Sequence, residues 1–472
     1  MSETSNTTRP VDLAIRRYHD LVTSDWRAVL ADLERETSAR RISFLGRPVV
    51  RALRPAFVDE STYEDAMRAA RLVGRAVHEL ARVVAGDDAL RSRLRLSTEN
   101  ELLVRAEPDP EPIVARLDGF FADDGTLRFL EYNPNPFGTV FSEQVAEIFA
   151  AMPILEKATA PLPSRYARTA GRLVSALLRA HGARSRCGRR SPNVAVVLGA
   201  AGSARLGLTE GAHMMELAAR GGAVVRPVSA ESIVRRDGAL FAGDFPIDCL
   251  SFGDNDEFLQ SFPKDHSVWT ALQNREVWLF GSLAAMALHG NKGLFAFLTE
   301  PDLQSMFDRE TQAAIRRHVP WTRLVRDERT TYGDRAIDLL SFIRRDRERW
   351  VIKPTVDFGG KGVVLGWHVS AEAWDRAIED ALESKTQDAG VLPAHPLEHA
   401  HVVQERVPNR VEPFPRVVGD ELAISDHRVD FNPYLWNGVE TEGALVRVAE
   451  DDLLNITAGA GSLAPLFILG ET

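Results

Sequence analysis

The chain has 472 residues, with 57 Lys+Arg against 67 Asp+Glu, and a formal net charge of −10. That length allows roughly two to four domains, and the acidic balance argues against non-specific binding to nucleic acid or an anionic membrane as its main role. No apolar run reaches the length needed to span a bilayer, the polar stretch Met1 to Thr8 lacks a secretory core, and the 2 Cys (Cys187 and Cys249) are far apart, which together point to a soluble cytoplasmic protein without a disulfide framework.

Apolar residues at Leu13, Ile15, Tyr18, Leu21, Trp26, Val29, Leu30 and Leu33 predict a helix from Val11 to about Thr37. Ser61 and Glu64 form a capping box for a second helix, Ser61 to Ala85, with Gly86 after its end. Residues 1–95 therefore read as a helical N-terminal region.

Val114 to Phe121 and Leu127 to Tyr132 read as two antiparallel strands joined by Asp123-Asp124-Gly125. Alternation along a strand puts Arg116 and Asp118 on one face, and Glu131 and Asn133 on one face of its partner. Paired as a hairpin, the four converge. Two carboxylates, an amide oxygen and a guanidinium suit Mg²⁺ and the phosphates it carries. The plainer alternative is a surface hairpin with solvated charges, which does not account for the Asn133-Pro134-Asn135-Pro136 run that follows. Residues 96–164 form this unit, with a helix capped by Ser142 and a proline-bearing linker from Pro153 to Pro163.

A helix is expected from Ser164 to Ala180. The apolar strand Val194 to Leu198, a helix from Thr209 to Arg220 and the strand Ala223 to Val228 then make a βαβ unit. The glycines after the first strand do not match the dinucleotide fingerprint, which counts against a dehydrogenase. Phe245 to Phe252 reads as one more buried strand. Residues 165–285 thus form a compact α/β domain.

Residues 286–472 carry chemistry again. Asn291-Lys292-Gly293 opens an apolar helix, and Trp350 to Pro354 is a strand bearing Lys353. A glycine-rich turn with Gly359, Gly360 and Lys361 leads into a strand from Val363 to Trp367. Such a turn can lay backbone N–H groups over phosphates, although a flexible surface hairpin has the same composition. The strand Val402 to Val407 can hold an adenine by backbone hydrogen bonds, with Glu405 placed for a ribose hydroxyl or amine. His395, His399 and His401 precede it at a spacing that suits no helix-borne zinc motif. Two strands, Asp426 to Trp436 and Glu442 to Val448, follow, and Arg447 is a candidate phosphate contact.

This ordered set resembles the circularly permuted ATP-grasp family, in particular the synthetase domain of glutathionylspermidine synthase. The resemblance rests on Arg116-x-Asp118 with Glu131-Tyr132-Asn133, on Asn291-Lys292, on Val-Ile-Lys353-Pro, on Val-Val-Gln404-Glu405-Arg-Val-Pro, and on the late Arg447. It implies an α/β (α+β) fold whose metal-binding half (96–164) precedes its nucleotide-clamp half (286–472), with a pre-ATP-grasp domain between. It also implies ATP as substrate and two Mg²⁺ ions held by Asp118, Glu131 and Asn133. Lys292 and Lys353 become phosphate contacts, Gln404, Glu405 and backbone near Val407 the adenine and ribose site, and Arg116 and Arg447 the pair that steadies the transferred phosphoryl group. The glycine-rich turn departs from the family pattern, so a phosphate role for Lys361 rests on its chemistry alone.

These features point to an ATP-dependent carboxylate–amine ligase acting on a small-molecule or peptide carboxylate and an amine (or thiol). The alternative is a catalytically inactive nucleotide-binding scaffold or regulator, against which the metal set counts. The identities of the two substrates and the oligomeric state are not legible.

Overall fold

In the computed structural model, residues 9–107, 110–134, 136–185, 188–198, 210–252, 255–356, 360–383, 400–454 and 461–470 are described. Helix α1 (Pro10–Ala39) buries Val11, Ile15, Tyr18, Val22, Val29 and Leu33. Strand β1 (Ala56–Asp59) leads into helix α2 (Glu60–Gly86). The cap of α2 is Asp59 rather than Ser61: the carboxylate accepts from the Thr62 amide at 2.7 Å and from its hydroxyl at 2.9 Å. A carboxylate there also meets the positive end of the helix dipole, which a serine hydroxyl does not.

Strands β2 (Val114–Phe121) and β3 (Leu127–Pro134) form the expected hairpin. Asp118 lies opposite Glu131 and Arg116 opposite Asn133, with a bulge between Asp118 and Gly119. Gly125 takes φ +77° in the turn, where the Asp124 side chain accepts from the Thr126 amide at 2.8 Å. Helix α3 (Phe141–Ala150) follows, but Ser142 does not cap it; its hydroxyl donates to the Gly138 carbonyl at 2.7 Å. The proline-bearing stretch beyond is helical over Pro153–Thr159 and packs on α1. Strand β4 (Ser164–Arg165) and helix α4 (Thr169–Arg184) come next.

Strand β5 (Asn193–Leu198), helix α5 (Gly211–Arg220) and strand β6 (Val224–Ser229) make the βαβ unit, with the strands parallel. The glycines read after β5 lie outside the described residues. Strands β7 (Cys249–Ser251) and β8 (Trp278–Leu279) extend the sheet in the order β8-β7-β5-β6. The single strand expected over Phe245 to Phe252 is instead split between two sheets at Asp248. The Asp248 carboxylate accepts from the Asn193 amide at 2.8 Å and from Arg189 Nε at 3.0 Å, which fixes the switch.

Helix α6 (Gly293–Leu298) is buried throughout. Strands β9 (Thr322–Leu324), β10 (Trp350–Pro354), β11 (Val364–Leu365) and β12 (His401–Glu405) form an antiparallel sheet, β9-β12-β10-β11. Strands β13 (Val411–Val418), β14 (Glu421–Val429), β15 (Asn432–Trp436), β16 (Glu440–Ala449) and β17 (Ser462–Ala464) join the hairpin in the order β13-β14-β16-β15-β2-β3, with β17 on β16. The strand expected from Asp426 to Trp436 is therefore two, broken where Asp430 turns inward. Strand β18 (Leu466–Leu469) lies between β1, to which it is parallel, and β4.

The architecture is mixed α/β, with helices and several sheets. One apolar cluster joins α2 (Ala70, Val77), the hairpin (Leu117, Phe129), α6 (Leu294, Phe297) and the sheet (Leu435, Val446). The hairpin is thus clamped between the N-terminal helices and the C-terminal strands. Among the described residues, no helix is long and apolar enough to cross a membrane.

Helix α2 comes close to the sheet at Gly74, where an added Cβ would lie 2.7 Å from Leu435 Cδ1. Leu435 is fully buried and has little room to yield. We expect Gly74→Val to lower the unfolding free energy by about 1–3 kcal/mol through overpacking, read as an earlier midpoint in urea.

Candidate active site

Asp118 is the centre of the site. It is 4% exposed, yet it is bonded to two guanidinium groups. Arg116, two residues away on the same strand face, donates from Nε to Oδ1 at 2.5 Å and from Nη2 to Oδ2 at 2.9 Å. Arg447 on β16 donates from Nη2 to Asp118 Oδ2 at 2.7 Å. Its Nε donates to Asp430 Oδ2 at 2.6 Å, and its backbone amide donates to Asp430 Oδ1 at 2.6 Å. Burial alone would raise the Asp118 pKa, but Arg116 and Arg447 outweigh it and hold the carboxyl down at about 2. Burial pushes Asp430 up, with Arg447 only partly offsetting it. Burial pulls Arg447 down, and the carboxylates of Asp430 and Asp118 more than restore it.

Across the hairpin, Glu131 Oε2 lies 3.3 Å from Lys292 Nζ, and Asn133 Nδ2 donates to Glu131 Oε1 at 3.2 Å. Burial pushes Glu131 up, but Lys292 and Lys353 prevail and its pKa is lowered. The Lys292 amide donates to the Thr355 carbonyl at 2.8 Å, which ties the turn before α6 to the end of β10. Lys353 Nζ donates to Gln404 Oε1 at 2.8 Å. The Gln404 amide nitrogen donates in turn to Thr322 Oγ1 at 3.1 Å and to the Leu130 carbonyl at 3.3 Å. Gln404 is 2% exposed, so it orients the lysine. Burial lowers Lys353 to about 8, against the pull of Glu131.

Arg116, Asp118, Glu131, Asn133, Lys292, Lys353, Gln404 and Arg447, widely spaced in sequence, thus gather around one hairpin end. Glu405 faces the other way along β12: its Oε1 accepts from the Tyr332 hydroxyl at 2.7 Å and from Arg349 Nη2 at 2.9 Å. Val407 is half-buried just past β12. Gly360 and Lys361 lie in the turn ahead of β11, and Gly359 is outside the described residues. His401 is buried, while His395 and His399 lie outside the described residues.

Two participants escaped the sequence pattern. Asp430 sat inside a supposed strand, and only its place between two apolar runs marked it. Glu210 carries no local signal; it accepts backbone hydrogen bonds at the start of α3 from far along the chain. Composition carries a further signal: of the 57 cationic residues 6 are lysines, and Lys292 and Lys353 are two of those.

Asp118, Glu131 and Asn133 present hard oxygen donors, which suit Mg²⁺ better than a thiophilic metal. Among the described residues, no group of three or more His, Cys, Asp or Glu is placed to hold a metal. The hairpin set has two carboxylates and relies on the asparagine for its third oxygen.

No family model matches the chain, and no curated protein matches it. Among solved structures, it is similar to GSS30, a glutathione synthetase-like effector from Globodera pallida in its apo form. The TM-score is 0.62 at 12% identity, over 94% of this chain and 97% of that one. The two chains share a fold. A candidate gamma-glutamylcysteine synthetase from Methylobacillus flagellatus KT aligns with a TM-score of 0.41 and 13% identity, over 84% of this chain and 88% of that one.

The acid behaviour of Asp118 follows from its partners. Its folded pKa lies below the unfolded value, so its stabilisation is complete above about pH 4 and is lost as pH falls toward about 2. Asp118→Asn should flatten this part of the stability–pH curve in urea titrations, and should cost about 3–5 kcal/mol at neutral pH by leaving the buried Arg116 without its carboxylate and Arg447 with Asp430 alone. An unchanged curve would mean that the arginines do not bind the carboxylate in solution.

Proposed function

We propose that the chain is an ATP-dependent carboxylate–amine ligase of the circularly permuted ATP-grasp kind. The observation that carries this reading is the hairpin register, Asp118 opposite Glu131 and Arg116 opposite Asn133, joined by direct contacts to Arg447 and Lys292. The fold shared with a glutathione synthetase-like effector supports a ligase of this general type.

A carboxylate is a poor electrophile at neutral pH. Its oxygen attacks the γ-phosphorus of ATP while the bond to the bridging oxygen breaks, which gives an acyl phosphate and ADP. An amine then forms the C–N bond, phosphate leaves with its electron pair, and the nitrogen loses a proton. Asp118, Glu131 and Asn133 would hold Mg²⁺, two ions by the family resemblance, and the metal would neutralise the triphosphate charge. Lys292 and Lys353 meet the phosphates, with Gln404 fixing the Lys353 amine. The backbone near Val407 would border the adenine and ribose, and Glu405 would reach them on leaving Tyr332 and Arg349. Arg116 and Arg447 lie where charge builds on the transferred group, and their rigid mounting keeps reorganisation small. The partners are a small-molecule or peptide carboxylate and an amine, and the proposed location is the cytoplasm.

The test is ADP and phosphate release with ATP, Mg²⁺ and pools of carboxylates and amines. Turnover should require both an acid and an amine, and should fall by about 100-fold or more in Asp118→Ala and Glu131→Ala. Tight ATP binding without turnover would favour the scaffold, and absence of ATP binding would sink the reading.

Lys353 gives a second check. With its pKa lowered to about 8, a fraction of the amines is neutral near that pH, and a bound triphosphate restores the charge. ATP binding at pH near 8 should therefore take up a fraction of a proton, about half at most, seen by calorimetry in buffers of different ionisation enthalpy. Lys353→Met should abolish the uptake.

A further inference from the structure

Glu210 lies at the start of α5 in the central α/β layer, is 3% exposed, and points its carboxylate at a different part of the chain. Its Oε2 accepts from the Gly138 amide at 2.5 Å, and its Oε1 accepts from the Phe141 amide at 2.8 Å and from the Val140 amide. A helix cap explains the Val140 and Phe141 bonds, but the Gly138 bond needs another account. The Gly138 N–H and the Phe137 C=O are opposite ends of one planar trans peptide. That carbonyl accepts from Arg116 Nη1 at 2.8 Å. The peptide is therefore gripped from both sides, by Glu210 on its N–H and by Arg116 on its oxygen. Hydrogen bonds in such a chain polarise and align one another.

The peptide's orientation also depends on Gly138. It takes φ +97°, and an added Cβ would lie 2.5 Å from Leu445 Cδ1. A side chain at this φ would be strained and would crowd Leu445, so the peptide keeps this orientation most easily with glycine. A local serine or aspartate at position 140 would cap α3 without touching this peptide, whereas a carboxylate 72 residues away in sequence reaches both.

We infer that Glu210 is a positioning residue for Arg116, acting through the Phe137–Gly138 peptide. Its consequence for turnover rests on the ligase reading above; its geometry does not. The central α/β layer thereby reaches the phosphoryl-handling arginine through a single peptide group. The charged and titratable groups facing Glu210 are the Arg116 guanidinium and the Tyr434 phenol, whose hydroxyl lies 2.9 Å from Ser142 Oγ. Burial pushes Glu210 up to about 6, against the three amides and Arg116, which favour its charged form. Near neutral pH it is a carboxylate, and below about pH 6 it loses the charge that grips the peptide.

The test combines kinetics with amide hydrogen exchange. Glu210→Gln should lower kcat by about 10–100-fold while leaving KM for ATP within about twofold. The wild-type kcat should fall on the acid side with a midpoint near 6, and this limb should vanish in the variant. In the wild type, the Gly138, Val140 and Phe141 amides should lose protection across the same pH range after correction for intrinsic exchange. That measurement needs no variant to fold. Unchanged kcat with the acid limb intact, or protection constant through pH 6, would overturn the assignment. If the wild type turns over no substrate pool, the ligase reading fails, while exchange still decides whether Glu210 holds the peptide.

Discussion

A buried carboxylate shared between two guanidinium groups is the constraint on which this structure turns. Removing Asp118 from water is costly, and the cost is offset only because Arg116 and Arg447 meet it with near-ideal geometry. That geometry makes demands in turn. Arg116 must share a strand face with Asp118, β15 must run between β2 and β16, and Asp430 must leave the ladder to hold Arg447. Cations and carboxylates nearly balance: Arg116, Arg447, Lys292 and Lys353 against Asp118, Glu131 and Asp430. A site so neutralised has little affinity left for a bare metal ion or a bare polyphosphate. On the ligase reading, its ligand is one that brings both charges together, the lysines meeting phosphate and the carboxylates metal while the arginines stay on their mounts.

Much of this was legible because it is local. Alternation and turn chemistry specify the hairpin 114–134 within its own residues, and Lys353 ends an apolar strand whose period is plain. What depended on distant partners was not. Ser61 and Ser142 both look like caps, but Asp59 caps the first helix at Thr62 and Glu210 takes the amides that open the second, from another part of the chain. Phe245 to Phe252 reads as one strand because nothing in its hydropathy shows that Asp248 will be held by Asn193 and Arg189. Asp430 was hidden in the same way. Side-chain periodicity encodes which face is buried; it does not encode which polar group arrives from elsewhere.

The apolar core links the N-terminal helices to the candidate site. Helix α2 approaches the sheet closely enough to require Gly74 against Leu435, and it shares one cluster with the hairpin and α6. Displacing α2 would shift Lys292, at the start of α6, relative to Glu131. Interiors this dense transmit small displacements rather than absorbing them.

The strand order has a consequence for how the molecule is made. Strand β2 is covered on one edge by β15, and β18 lies between β1 and β4. As the chain leaves the ribosome, the hairpin emerges with the β2 edge bare, and that edge stays bare until the segment around Tyr434 follows. Until then the nascent chain carries an open strand edge and the uncovered apolar face of α2, surfaces that aggregate readily. Assembly of the sheet waits on β15 and β16, and a fragment that stops short of them cannot contain a finished site.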